Sequence, residues 1–178
     1  MKKVLYILGE MNDADVEWVL ANSNNIRLSP DAVLIEQGKP IDALYILLDG
    51  VLTVVTDAKL TEPIATLNPG EIVGEISFVD SRPPTATVKS PGNAVVLSIP
   101  RAHLIEKLQQ DAGFASRFYR ALAVFLSHRL RETVSHLGYG KAQVSDDEIE
   151  GELDESVLDN VYLAGTRFDR MLKRSAVN

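Results

Sequence analysis

Apolar and polar positions along the chain fall into three successive textures. Over the first thirty residues the spacing is helical: Leu5, Ile7 and Leu8 share one short segment, and Asp13 is placed to cap a helix carrying Val16, Trp18, Val19 and Leu20. From there to Ile99 the apolar residues gather in short β-rich runs: 32–35, 44–48, 51–55, 64–67, 85–88 and 94–99. Pro30-Asp31, Gly38, Asp49-Gly50, Pro69-Gly70 and Pro91-Gly92 separate them, and each is a turn signal. Asp49-Gly50, a two-residue break between two apolar runs, predicts a type I′ hairpin. Many short strands without alternating long helices predict a mainly β fold, a sandwich, jelly roll or barrel, with flanking helices.

After Pro100 the period returns to that of a helix, first over 102–110 and then over a longer segment from about Asp111 to Leu137, which Gly138 ends. On this long helix Phe114, Phe118, Leu122, Phe125, Leu126, Leu130, Val134 and Leu137 spread over about 200° of surface, wider than one core contact needs. The expectation is that one side covers the β domain and the other meets a second copy or a later segment of the chain. Arg117, Arg120, His128 and Arg131 cluster on the remaining face, within roughly 80°. A last amphipathic helix, 156–174, carries Val157, Val161, Ala164, Phe168, Met171 and Leu172 on a narrow stripe. The expected organisation is therefore a domain over 1–137 that includes the long helix, a linker over 138–155, and the terminal helix.

Charge sharpens this division. The net charge is −7, and between Ser145 and Asn160 there are eight acids and no base; without them the balance becomes +1. The linker is thus acidic and solvated by its own repulsion, while the rest has no basic excess suited to a phosphate backbone. A helix-turn-helix after the long helix is disfavoured as well, because only 41 residues follow Leu137 and they offer one clear helix where two are needed. A DNA-binding regulator is therefore the least favoured of the binding readings. With 46% apolar and 24% charged residues the composition is that of a soluble globular protein, and no run is long enough to span a membrane. Met1-Lys2-Lys3 resembles a signal n-region, but Val4 to Leu8 is too short an apolar core, so a cytoplasmic protein is expected.

Catalytic chemistry is hard to assemble. The chain has no cysteine, and its three histidines, His103, His128 and His136, fall on predicted helices outside the β domain, which argues against a metal centre inside a β-barrel. No Gly-x-Ser-x-Gly elbow occurs. No enzyme activity, metal or resident cofactor is expected. One segment does suggest binding, Gly70 to Val88. Gly74 lets the backbone approach a ligand, and Glu75 to Phe78 can begin a short helix with free N–H groups facing outward. The Glu75 carboxylate can accept from ribose hydroxyls, and the small Thr85 and Ala86 leave room for a phosphate.

The segment Gly74-Glu75-Ile76-Ser77 through Arg82-Pro83-Pro84-Thr85-Ala86 resembles the phosphate-binding cassette of cyclic nucleotide-binding domains, the family of the catabolite activator protein and of the regulatory subunits of cyclic-AMP-dependent kinase. Val33-Leu34-Ile35-Glu36-Gln37-Gly38, Leu44 to Gly50 and Pro69-Gly70-Glu71 resemble the family's earlier motifs in order and spacing, so the likeness covers roughly residues 12 to 137. It implies an eight-stranded β-roll of jelly-roll type whose last helix acts as a lid or dimer helix. It also implies that Gly74, Ile76 and Ser77 offer amides to a cyclic phosphate, that Glu75 binds the ribose hydroxyl, and that Thr85 and Ala86 complete the pocket. The family's phosphate-pairing arginine aligns with Pro84, which has neither cation nor N–H; Arg82 lies two positions earlier. Losing a charge-assisted bond to phosphate removes about 1.5–3 kcal/mol, so a micromolar site falls toward the millimolar range. The expected function is a regulatory module that senses cyclic AMP, cyclic GMP or a related anion and relays it through its C-terminal helices. The alternative is a ligand-independent module with a degenerate pocket that uses those helices to bind a second copy or another protein.

Overall fold

A computed structural model describes residues 8–56, 63–136 and 155–176. Its elements in chain order are α1 (Asp13–Ala21), β1 (Asn24–Leu28), β2 (Val33–Ile35), β3 (Ala43–Asp49), β4 (Leu52–Val55), β5 (Ala65–Leu67) and β6 (Ile72–Val73). There follow α2 (Glu75–Asp80), β7 (Thr87–Lys89), β8 (Ala94–Pro100), α3 (Arg101–Gln110), α4 (Ala112–His136) and α5 (Glu155–Ala176). The strands form two four-stranded antiparallel sheets, ordered β1-β8-β3-β6 and β2-β7-β4-β5. This is the eight-stranded β-roll with flanking helices.

The burial of β3 explains why its sequence is an unbroken apolar run rather than an alternating one. Side chains alternate across a strand, and here both faces are covered. Leu44, Ile46 and Leu48 belong to a cluster shared with the helices, while Ala43, Tyr45 and Leu47 belong to a second cluster inside the roll with Ile35, Leu52, Leu67, Val73 and Val88. Strand β8 divides in the same way, Leu97 and Ile99 facing the helices and Ala94 and Val96 the roll interior.

Three expectations are corrected. Asn24–Leu28 is not helical; it is the edge strand β1, paired with β8 from Asn24↔Ser98 to Leu28↔Ala94. The apolar spacing there is too short to separate the two periods, and the available β8 edge decides the outcome. Asp13 is not the cap of α1. Asn12 is: its side chain accepts from the Asp15 amide at 2.9 Å, and the Asp15 carboxylate accepts in return from the Asn12 amide at 2.9 Å, a capping box. Asp49-Gly50 does not make a hairpin, since β3 and β4 lie in different sheets. Only Gly50 has positive φ (+83°), whereas a type I′ turn needs it at both residues. The chain turns a corner between sheets there, so close to β8 that a Cβ on Gly50 would lie 2.4 Å from the Asn93 carbonyl oxygen.

The helices pack on the first sheet. Asp111 caps α4, accepting from the Phe114 amide at 2.8 Å and from Lys107 Nζ at 2.9 Å. Phe114, Phe118, Leu122 and Phe125 are buried, Leu126 packs against the same cluster, and Leu130 and Val134 remain exposed. The second contact implied by the wide apolar surface is made within the chain: Ala164, Phe168 and Met171 of α5 join that cluster. Polar contacts clamp α5 to the N-terminal region. Arg167 donates to Asp13 at 2.7 Å and to the Leu8 carbonyl at 2.7 Å, and Arg170 and Arg174 reach Glu17 at 3.1 and 3.3 Å. The basic face of α4 is likewise partly occupied by the N-terminal region, with Arg117 on Asp15 and Arg120 on Glu10. The acidic linker, Leu137, Gly138 and the side chains of Val157 and Val161 lie outside the described residues.

Candidate functional site

Strand β6 ends at Gly74, whose φ of +90° turns the chain directly into α2. The left-handed backbone strains any side chain there, and a Cβ would in addition lie 2.8 Å from Ile41 Cδ1, which would have to shift, and 3.4 Å from the Ala43 carbonyl oxygen. Gly74 caps α2 without a side-chain bond. Helix geometry leaves the first amides of α2 without intrahelical partners, the first return bond being Phe78 N to Gly74 O at 3.0 Å. Ser81 in the left-handed region (φ 58°) ends the helix one and a half turns later. Ile76 is exposed and Ser77 buried. Gly74 to Ser77 thus form one tight turn at the seam between the roll and the helices.

The Glu75 side chain, 2% exposed, is directed to α4, where Arg129 Nη1 donates to its Oε1. Arg129 also lies over the Phe125 ring, 5.3 Å from its centroid. Burial is the dominant influence on Glu75 and pushes its carboxyl above the ordinary glutamate value; the Arg129 charge and bond and the residue's own amide pull the other way, and Glu71 adds to the rise. The result is a buried carboxylate whose cation only partly compensates for lost hydration. The arginine that meets Glu75 therefore comes from the long helix, not from the loop before β7.

That loop is arranged differently. Arg82 lies by Asp80, with its amide on Asp80 Oδ1 at 2.9 Å, its Nε 4.0 Å from Oδ2, and its side chain 84% exposed. The carbonyl of Pro84 accepts from the Gly38 amide at 2.8 Å, and the Gln37 amide donates to Thr87 Oγ1 at 3.0 Å, so the loop is stitched to the turn after β2. Thr85 is exposed and Ala86 half-buried on this stitched segment. Ser77 and Arg82 line one cavity of about 200 Å³, together with Arg101; Thr85 and Ala86 are outside its lining. Arg101, the first residue of α3, donates to the Ser77 carbonyl at 3.0 Å and to Ser81 Oγ at 3.1 Å and covers the Phe78 ring at 5.0 Å.

Sequence reasoning passed over Arg129 and Arg101. Both belong to helices whose basic residues look interchangeable along the chain, and only tertiary packing selects which arginine meets Glu75. The usable signal was a buried carboxylate in need of a cation when Pro84 supplies none. Among the described residues no group of three or more His, Asp or Glu is placed to hold a metal ion, and no helix is long and apolar enough to cross a membrane.

An antiparallel β-roll with a glycine-turned cassette between its sixth and seventh strands, covered by a long helix, defines a class of regulatory ligand-binding domain. The sequence model of the cyclic nucleotide-binding domain matches residues 25–111, and the chain has the cyclic nucleotide-binding domain fold. A cyclic nucleotide-binding domain from Methylobacillus flagellatus KT has a similar structure, with a TM-score of 0.69 and 21% identity over 81% of this chain and 86% of that one. The c-di-GMP-responsive global regulator of Xanthomonas campestris is similar with a TM-score of 0.62 and 22% identity, covering 71% and 63% of the two chains. The regulatory subunit of a cAMP-independent protein kinase A from Trypanosoma brucei has a TM-score of 0.56 and 20% identity, covering 77% and 44%. No curated protein sequence matches the chain. These similar structures differ in ligand and regulatory behaviour, one being c-di-GMP-responsive and another cAMP-independent, so the fold alone does not select a ligand.

Proposed function

We propose that this domain is a non-catalytic regulatory sensor for a cyclic nucleotide, cyclic AMP or cyclic GMP, or for a related ribose-bearing anion, and that it reports occupancy through α4. The observation that carries this reading is Arg129 of α4 on the buried Glu75 carboxylate. A ribose hydroxyl donating to Glu75 draws on the same carboxylate that Arg129 now engages through Oε1. Ligand and helix therefore compete for one group, and binding shifts the population of α4 arrangements by no more than the ligand's differential affinity for them. The phosphate would rest on the first amides of α2, in the roles expected of Gly74, Ile76 and Ser77, with Thr85 and Ala86 beside it. With Pro84 lacking a guanidinium and the Arg82 side chain exposed to solvent, the expected affinity is weak, in the high micromolar to millimolar range. Titration calorimetry with cyclic AMP and cyclic GMP, on the wild type and on Arg129→Ala, tests this. Tighter binding by the variant is expected, and no heat at millimolar nucleotide in either protein overturns the sensor.

A second reading, an interaction module with an unused pocket, is favoured by Leu130, which stays 64% exposed on α4 beyond the part that covers the roll, with Val134 exposed one turn later. A second copy or another protein would cover that strip. Sedimentation of the wild type and of Leu130→Glu at several concentrations checks it: concentration-dependent association lost in the variant supports it, and a monomer throughout contradicts self-association.

A further inference from the structure

Glycine at position 74 leaves one side of the backbone free for another atom to come close, and that side is already taken. A Cβ there would meet Ile41 Cδ1 at 2.8 Å, the Ala43 carbonyl oxygen at 3.4 Å and Ile35 Cδ1 at 3.6 Å. Ile35 is buried in the interior of the roll, and Ile41, half-buried in the loop between β2 and β3, packs against the same interior cluster. Ile41 also lines the cavity of about 200 Å³ whose polar wall is Ser77, Ser81, Arg82 and Arg101. One side chain therefore touches both that cavity and the turn at Gly74.

We infer that Ile41 determines access to the cassette, a step that rests on the sensing function proposed above: its tip covers Gly74 and has to swing aside before an anion comes against that glycine. The arrangement has the parts of a movable cover. The backbone that carries Ile41 is held on both sides, by the Gly38 amide on the Pro84 carbonyl oxygen at 2.8 Å and by the Arg101 amide on the Asp42 carbonyl oxygen at 2.7 Å, and Pro40 fixes one further dihedral. What is left to move is the tip, and Cδ1 ends a side chain with two rotatable bonds. An alkyl tip offers no hydrogen bond to a phosphate, and moving it gives up its contacts with Gly74 and the roll interior. The cavity side, in contrast, carries two guanidinium groups, Arg82 and Arg101, which draw an anion toward Ile41 before it reaches Gly74.

The test is titration calorimetry with cyclic AMP on the full chain, wild type and Ile41→Ala, with the Ile41 δ1 methyl of the wild type followed by NMR in parallel. Ile41→Ala should bind about three- to tenfold more tightly than the wild type, because no tip has to be moved. The loop keeps its place in this variant, since its anchors are backbone bonds that do not use the Ile41 side chain. In the wild type the δ1 methyl should lose its cross-relaxation with the Gly74 α protons as nucleotide saturates, a readout that needs no variant. Equal affinities of the two proteins, or a methyl that keeps its Gly74 contact at saturation, overturn the cover and leave the sensor standing. Binding by Ile41→Ala with no heat from the wild type at millimolar nucleotide supports the cover and overturns sensing by the native chain. No binding by either protein overturns both.

Discussion

Helix α4 is tied to the rest of the molecule by an arginine on a buried carboxylate near each end, and the two ties differ in kind. Near the N-terminus Arg117 grips Asp15 with two bonds, Nε to Oδ2 at 2.6 Å and Nη2 to Oδ1 at 2.9 Å, and the Asn12 amide adds a third at 2.9 Å. Burial alone would push the Asp15 carboxyl up, but the Arg117 and Asn12 bonds outweigh it and hold the group below the ordinary aspartate value. Toward the C-terminal half Arg129 reaches Glu75 through one nitrogen, and there burial prevails and the carboxyl is raised. A satisfied pair fixes a helix; an under-satisfied one leaves a charge that a ligand hydroxyl can compete for. The first tie belongs to the fold, and the second is the one on which the proposed sensing rests.

The largest effect is expected at the firm end. Arg117→Ala leaves Asp15, 4% exposed, without its cation and should lower the urea midpoint more than any of the changes that follow. A smaller loss, about 2 kcal/mol, is expected for Gly74→Ala, where the left-handed backbone and the Ile41 contact combine. Arg129→Ala should cost less, about 1 kcal/mol near pH 5 and more toward pH 8, because Glu75 can take up a proton when its cation is lost. A cost at Arg129 equal to that at Arg117 and independent of pH would erase the distinction between the two ties.

The two carboxylates also leave opposite signatures in the pH dependence of stability. Asp15 contributes stability that is complete above its unfolded value near 3.8 and is lost as pH falls through its lowered folded value. Glu75, raised when folded, makes the protein lose stability as pH rises from about 4.5 through its folded value. Asp15→Asn should therefore flatten the acid-side loss, and Glu75→Gln the loss above pH 4.5, in denaturation curves taken at successive pH values. The smallest effect is expected at Arg82: Arg82→Ala should change stability by no more than about 0.5 kcal/mol, since its side chain is exposed and loosely paired.

How much of this was legible along the chain follows the same division. A mainly β fold could be read because strands such as β3, covered on both faces, leave an apolar run that no solvent-facing element would carry; the eight-stranded roll followed only from the resemblance of the cassette around Gly74 and of the earlier motifs to a known family. What could not be read depended on which distant elements meet. Asp49-Gly50 has hairpin composition, yet the next strand joins the other sheet. Asn24–Leu28 becomes a strand because β8 offers it an edge. At the site, the residues of the cassette stand consecutively and were named from their own chemistry, whereas the cation for Glu75 lies 54 positions away on a helix with several similar arginines.

The most direct test follows the Arg129 side-chain Nε–H and Glu75 carboxyl resonances by NMR while cyclic AMP is added at pH 7. The account predicts that both move together along one saturable curve, with α4 amides near Arg129 shifting in parallel, as the nucleotide takes the carboxylate from the helix. Both resonances staying in place while nucleotide binds elsewhere, or no change at millimolar nucleotide, would contradict it.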